Sequence, residues 1–178
     1  MIIRSADPQK DAAPCAAIYA PHVVESATSF EEDPPSATAF AERIARTALT
    51  HPWLVAEHDS EVVGFAYACP HRARPAYRWA ADVSVYVAGG HRGLGCGRAL
   101  YGELLERLRR QRFQVACAGI TLPNQASVAL HERFGFAPVG VYRRIGWKDN
   151  GWRDVGWWQL ELQPAIHEQP AEPLPPES

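Results

Sequence analysis

The segment from Asp82 to Leu108 constrains this chain more than any other, because three different local patterns follow one another without interruption. In Asp82-Val83-Ser84-Val85-Tyr86-Val87 apolar and polar residues alternate, so a strand here turns its valines to one face and Asp82, Ser84 and Tyr86 to the other. Glycines at 89, 90, 93, 95 and 97 break that pattern. Leu100, Leu104 and Leu108, with Tyr101 and Leu105, then form an apolar stripe at helical spacing that ends in Arg109-Arg110-Gln111-Arg112, where cations suit the negative end of a helix. A strand, a glycine-rich turn and an amphipathic helix are the parts of a phosphate cradle. Glycines let backbone N–H groups approach a ligand, and the first turn of a helix carries unpaired donors at the positive end of its dipole. A plain strand-to-helix turn has the same composition, so both readings stand at this point. The dinucleotide pattern GxGxxG is not met, since Arg98, Ala99 and Leu100 follow Gly97, and no Lys-Ser/Thr pair makes a nucleotide P-loop.

The rest of the chain supplies alternating elements. Strands are expected at residues 1–5, 53–57, 62–69, 115–122, 139–147 and 155–162, besides the one at 82–87. Helices are expected at 11–24 with Pro14 in the first turn, after an N-cap at Ser36 with Phe40, Ile44 and Leu49 as its apolar face, after Gly97, and at 124–134. The fold class is therefore α/β (α+β), with a mixed central sheet of about six to seven strands and about four helices. One domain over 1–163 is expected, followed by a Pro-rich disordered tail at 164–178. With 18 basic against 20 acidic side chains, the net charge of −2 gives no field that would recruit nucleic acid. No apolar run approaches a membrane span and the N-terminus does not read as a signal peptide, so the expectation is a cytoplasmic protein. Four scattered cysteines without CxxC spacing, and His131-Glu132 without the second His of a zinc HExxH helix, give no metal signature.

Arg92-x-x-Gly95-x-Gly97 matches the R/Q-x-x-G-x-G/A hallmark of the GNAT N-acetyltransferase superfamily, which the chain resembles from Ile2 to Leu162. Within it, the run from Gly119 to Phe136 and the closing stretch Gly146 to Trp158 are similar to those of phosphinothricin and methionine sulfoximine acetyltransferases. That resemblance implies the GNAT fold, acetyl-CoA as acetyl donor, no metal and a homodimer. It also implies that backbone groups of Val85 and Val87 meet the pantetheine arm while Arg92, Gly93, Leu94, Gly95, Cys96, Gly97 and Arg98 hold the pyrophosphate. Asn124, Ser127 and His131 stand at i, i+3 and i+7, a polar helical stripe opposite Leu130 and Phe134. In relatives the corresponding Asn and Ser face the cofactor, although Asn124 also fits a plain N-cap.

An ammonium must lose a proton before it attacks a thioester, so a base is needed. Relatives place a Glu where this chain has Asp82, whose carboxylate sits roughly 1.5 Å short of that position. His131 is the second candidate, and Tyr86, on the face of Asp82, is a candidate to position the amine or protonate the departing thiolate. No nucleophile-base-acid triad is evident, which favours direct transfer. Arg72, Arg74 and Arg78 lie beside Tyr77 and Trp79 just before this strand. Relatives matched at Phe30, Arg72, Arg74, Tyr77, Tyr86 and Val155 build a pocket there for a small amino acid with an anionic or sulfoximine-type side group. Competing readings are a protein or peptide N-acetyltransferase and a non-catalytic acetyl-CoA-binding module. The tryptophans of the C-terminal strands fit either a dimer contact or the core.

Overall fold

A computed structural model describes residues 1–165 and 168–176. Seven strands form one sheet in the order β1-β2-β3-β4-β5-β7-β6, where β1 is Ile2–Ser5, β2 Trp53–His58, β3 Glu61–Pro70, β4 Ala80–Val87, β5 Val115–Leu122, β6 Ala137–Lys148 and β7 Gly151–Glu161. Every neighbouring pair is antiparallel except β4 and β5. Four α-helices cover it: α1 Pro8–Val24, α2 Ala37–Thr47, α3 Cys96–Arg110 and α4 Gln125–Arg133.

The alternation in β4 divides two cores. Val83 packs with Leu100, Leu104 and Leu108 of α3, whereas Tyr86 packs with Tyr19 and Phe40 from α1 and α2. Asp82, Ser84 and Tyr86 therefore share the α1/α2 side of the sheet, as their spacing requires. α4 lies beside α3, with Tyr101 and His131 in edge-to-face contact. No helix among the described residues is long and apolar enough to cross a membrane.

Several boundaries differ from those read in the sequence. α1 begins at Pro8 because the Asp7 side chain accepts hydrogen bonds from the N–H groups of Gln9 and Lys10, so Pro14 falls in the helix interior, as Pro21 does, instead of in the first turn. Leu49 lies past the end of α2 and is exposed, because that helix already buries Phe40 and Ile44. β7 starts four residues early, since Gly151 closes a tight turn with Lys148 as its cross-strand partner. Residues 171–174, within the stretch expected to be a Pro-rich tail, lie against the domain. Trp79 Nε1 donates to Ala171 O at 3.0 Å, Arg78 pairs with Glu172, and Gln111 and Leu174 exchange two hydrogen bonds of 2.7 and 2.9 Å. The main-chain carbonyls of Ala171 and Leu174 accept from side chains of the domain, and Leu174 N donates in return to the Gln111 carbonyl. Residues 166, 167, 177 and 178 of that expected tail lie outside the described residues.

Candidate active site

The two parallel strands pair only at Ala80–Val115, Ala81–Ala116 and Asp82–Cys117. Beyond that rung they part. Ala88 N donates to Val63 O of β3, and strand alternation then turns the main-chain groups of Val85 and Val87 away from β3, towards the gap. The gap widens into a cleft of about 980 Å³ lined by Val85 and Val87, by Arg92, Gly93, Leu94, Gly95, Gly97 and Arg98, and by Asn124, Ser127 and Leu130. A narrower slot of about 60 Å³ continues inward past Ser84, Tyr86, Gly119, Thr121 and His131.

At the wide end, Gly93 and Gly95 have φ of +77° and +86°, which a side chain rarely adopts. A Cβ on either would meet nothing within 4 Å, so these two positions border open space. α3 starts immediately after Gly95, and the N–H groups of its first turn lack intrahelical acceptors. The Cys96 side chain is buried in the core with Leu100, so its contribution to the expected cofactor set is its main-chain amide alone. His22 of α1 stands across the cleft from Arg92, and burial, reinforced by the Arg92 charge, lowers its proton affinity.

α4 lines the slot with Asn124, Ser127 and His131, the stripe read in the sequence, and the wider cleft with Asn124, Ser127 and Leu130. His131 is only 3% exposed and points inward. The ring packs edge-to-face on Phe136 as well as Tyr101, aromatic surface that the i+7 spacing did not register. Its Nδ1 lies 2.7 Å from Ser127 O and its Nε2 2.7 Å from the Tyr101 hydroxyl. A carbonyl can only accept, so Nδ1 carries the proton and Nε2 accepts from Tyr101. Burial lowers the proton affinity of this ring, only partly offset by the bond to Ser127. Both nitrogens are thus occupied in a neutral imidazole that has no lone pair free for a substrate. Asn124 Oδ1 accepts from Ser127 N at 3.1 Å, the N-cap geometry.

At the narrow end, the Asp82 carboxylate lies 2.6 Å from His71 Nδ1. Burial raises the proton affinity of Asp82, against the opposing effects of His71 and Arg72. Cys117, across the last rung, brings its sulfur within 4.8 Å of the donor atoms of both. Burial and the neighbouring Asp82 push its thiol up to about 11, so it is neither a ready nucleophile nor a ready metal ligand. A metal ion would also have to displace the short His71–Asp82 bond. Tyr86 is stacked on Phe65 and edge-on to Tyr19, and burial pushes its hydroxyl well above the ordinary phenol range, which keeps it a donor.

Several of the residues expected to contact the acceptor lie near this pair. Trp157 of β7 meets His71 edge-on, with centroids 5.9 Å apart, and the Arg72 guanidinium lies 5.9 Å from the Trp157 ring. Tyr77 stands against the other side of this cluster, 5.8 Å from the His71 ring. Val155 is two residues before Trp157, on its face of β7, and Phe30 fills the space over Gly146 of β6, where a Cβ would collide with its ring. Arg74 has no side-chain partner among the described residues, and Arg78 is engaged by the tail.

A sequence profile of the acetyltransferase (GNAT) family matches residues 19–136, which contain the whole of this cleft. The chain belongs to that family. Among relatives, it is 38% identical over 154 residues to phosphinothricin N-acetyltransferase of Streptomyces viridochromogenes, covering 86% of this chain and 84% of that protein. It is 34% identical to the L-methionine sulfoximine/L-methionine sulfone acetyltransferase of Salmonella typhimurium, covering 91% and 95%. A GNAT superfamily phosphinothricin acetyltransferase from Sinorhizobium meliloti, solved in complex with acetyl-CoA, superposes with a TM-score of 0.91 at 32% identity, over 96% of this chain and 93% of that one.

For this acetyltransferase, sequence reasoning missed His71 and Trp157. His71 is one residue past the β3 strand, and its reach to Asp82 depends on the register that sets Cys69 opposite Asp82. Nothing in a twelve-residue connection reveals that register beforehand. A signal for Trp157 did exist: Gly119 sits inside an otherwise β-branched or apolar strand, and it is opposite Trp157, whose ring would lie 3.2 Å from a Cβ there.

Proposed function

We propose that the protein transfers the acetyl group of acetyl-CoA to the α-amine of a small amino-acid-like acceptor of the phosphinothricin, methionine sulfoximine or methionine sulfone type. The observation that carries this reading is the parting of β4 and β5 beyond the last rung, where Asp82 stands, which leaves a cleft lined by a glycine-rich helix start.

The donor would lie along that cleft. Open space at Gly93 and Gly95 and the free amides of α3 suit a pyrophosphate, with Arg92 and Arg98 as flanking cations. Unpaired main-chain groups of Val85 and Val87 suit the amides of the pantetheine arm, as an added strand would pair. Asn124 and Ser127 line the same wall, and the thioester would then reach the slot beside Ser84 and Tyr86. On the acceptor side, Arg72 offers a fork for an anionic side group, with Tyr77, Trp157, Val155 and Phe30 as walls and Arg74 at the rim.

With Cys117 held as a thiol, direct attack of the amine on the thioester is preferred to an acyl-enzyme. Proton removal falls to the end of the cleft where Asp82 lies. The Tyr86 hydroxyl, kept protonated by burial, is the donor for the departing thiolate. His131 keeps a structural role, tying α4 to α3 through Tyr101. The free cysteines fit a reducing cytoplasm, and the exposed edge strand β6 fits a homodimer.

Release of CoA in the presence of methionine sulfoximine, methionine sulfone, phosphinothricin and the common amino acids tests the reading. Turnover with one of these, and a several-fold rise in KM in Arg72→Ala at unchanged acetyl-CoA affinity, is the expected result. Turnover confined to a peptide panel would transfer the chain to the protein N-acetyltransferases, and acetyl-CoA binding without any turnover would make it a binding module.

A further inference from the structure

We infer that His71, held by Asp82, is the group that takes the proton from the acceptor amine, so that the base of this enzyme is a histidine–aspartate pair and not the carboxylate alone. The inference rests on the reading of the chain as an amino-acid acetyltransferase and names the residue that completes its chemistry.

Four observations lead to it. Asp82 Oδ1 is already engaged, 2.6 Å from His71 Nδ1, so one of its two oxygens is committed to the imidazole. A carboxylate can only accept, which sets the proton on Nδ1 and leaves the Nε2 lone pair as the free base; no partner occupies Nε2 among the described residues. The ring is also held in position, since Tyr77 and Trp157 meet it edge-on at centroid distances of 5.8 and 5.9 Å. Tyr77, Trp157 and the Arg72 guanidinium over it are groups assigned to the acceptor in the proposed reading, so the imidazole lies among them. The pair also accounts for the short acid at position 82: an aspartate leaves room for the imidazole beside the sheet, and the ring restores the lost reach. The arrangement repeats the logic of an acid that orients an imidazole base. The titratable and charged groups facing the pair are Arg72 and Tyr77 on the same connection, Cys69 across the β3–β4 register and Cys117 on β5.

The step balances as follows. The ammonium of the acceptor gives one proton to His71 Nε2 and becomes a neutral amine. Its lone pair forms the N–C bond to the thioester carbonyl as the C–S bond breaks and the electron pair leaves with sulfur. Tyr86 gives its proton to the departing thiolate, yielding CoA as the thiol, and is restored by the second proton from nitrogen, while His71 returns the first proton to solvent.

His71→Gln, Asp82→Asn and the double variant test the pair, with thermal melts to confirm folding and calorimetric titration to follow acetyl-CoA binding. The expected result is a loss of about 10²–10⁴-fold in kcat for His71→Gln at unchanged acetyl-CoA affinity. The alkaline-rising limb of the pH profile of kcat/KM should disappear, and the double variant should be no worse than the poorer single one, as for groups that act as a unit. A His71→Gln enzyme within threefold of the parent that keeps its pH limb overturns the proposal and returns the base to Asp82. Long-range ¹H–¹⁵N spectra of the histidine rings decide the matter even if no amino acid is turned over. They should give the Nδ1–H tautomer of His71 at pH 7.5, lost in Asp82→Asn, and the Nε2–H tautomer overturns the proposal. Absence of turnover by the parent with every amino acid refutes the acceptor assignment instead.

Discussion

Asp82 and Cys117 face each other across the last paired rung of β4 and β5, beyond which the two strands part. On one side of it the sheet is continuous and rigid. On the other, two neighbouring strands have lost their partner, a situation that costs stability unless the free main-chain groups find hydrogen bonds elsewhere. A ligand bearing amides answers that need, and the donor proposed for this cleft bears them.

Replacing Gly95 by alanine is expected to weaken acetyl-CoA binding by about tenfold, equivalent to about 1.4 kcal/mol. The residue has φ of +86°, a conformation that costs an L side chain about 1–2 kcal/mol, and the new methyl group would enter the open space at the start of α3. Calorimetric titration with acetyl-CoA measures it, and an affinity within a factor of two of the parent would contradict the cradle.

Asp11 ties β1 to the start of α1. Its carboxylate, only 2% exposed, accepts from Arg4 Nη1 at 2.6 Å, Arg4 Nη2 at 2.9 Å and Asp7 N at 2.7 Å. Burial alone would raise its proton affinity, but the Arg4 guanidinium and the Asp7 N–H outweigh that and hold it below the ordinary carboxylate range. The folded form therefore releases this proton more readily than the unfolded chain. The stabilisation is complete above the unfolded value, roughly pH 4, and fades as pH falls through the lower folded one. Asp11→Ala should lower the melting temperature at pH 7 by several degrees, at about 2–4 °C per kcal/mol for a chain of this size. In melts at progressively lower pH the gap between parent and variant should close; a gap that persists to pH 2 would assign the effect to packing.

Trp147 and Trp152 stand at the end of the β6–β7 hairpin with rings 5.4 Å apart, and they are 60% and 58% exposed. Val139, Val141, Tyr142 and Ile145 continue this apolar surface along β6, an edge strand. A second copy covering it would explain its composition. Trp147→Glu is expected to shift the protein from dimer to monomer in sedimentation equilibrium; a parent protein that is monomeric at tens of micromolar would rule this surface out.

What the sequence discloses is local and periodic. The alternation at 82–87 and the leucine spacing of α3 survive in the structure because each follows from a single element meeting a single core. The two ends of the cleft were legible for the same reason, one through glycine conformation and the other through the parity of a strand. Contacts between elements were not legible. His131 has the spacing of a polar stripe, yet Tyr101 and Phe136 draw it inward. His71 reaches Asp82 only through a cross-strand register, and the proline-rich strip at 171–174 is ordered by Trp79 and Gln111, far away in the chain. Each of these depends on a partner that periodicity does not specify.

The open side of β4 also bears on how such a scaffold can diversify. Main-chain groups at Val85 and Val87 present the same hydrogen-bonding pattern whatever side chains stand there, whereas the acceptor face proposed here is written in the side chains of Arg72, Tyr77, Val155 and Trp157. Substitutions on that face can redirect the enzyme to a new amine while the half of the site that recognises the donor stays untouched.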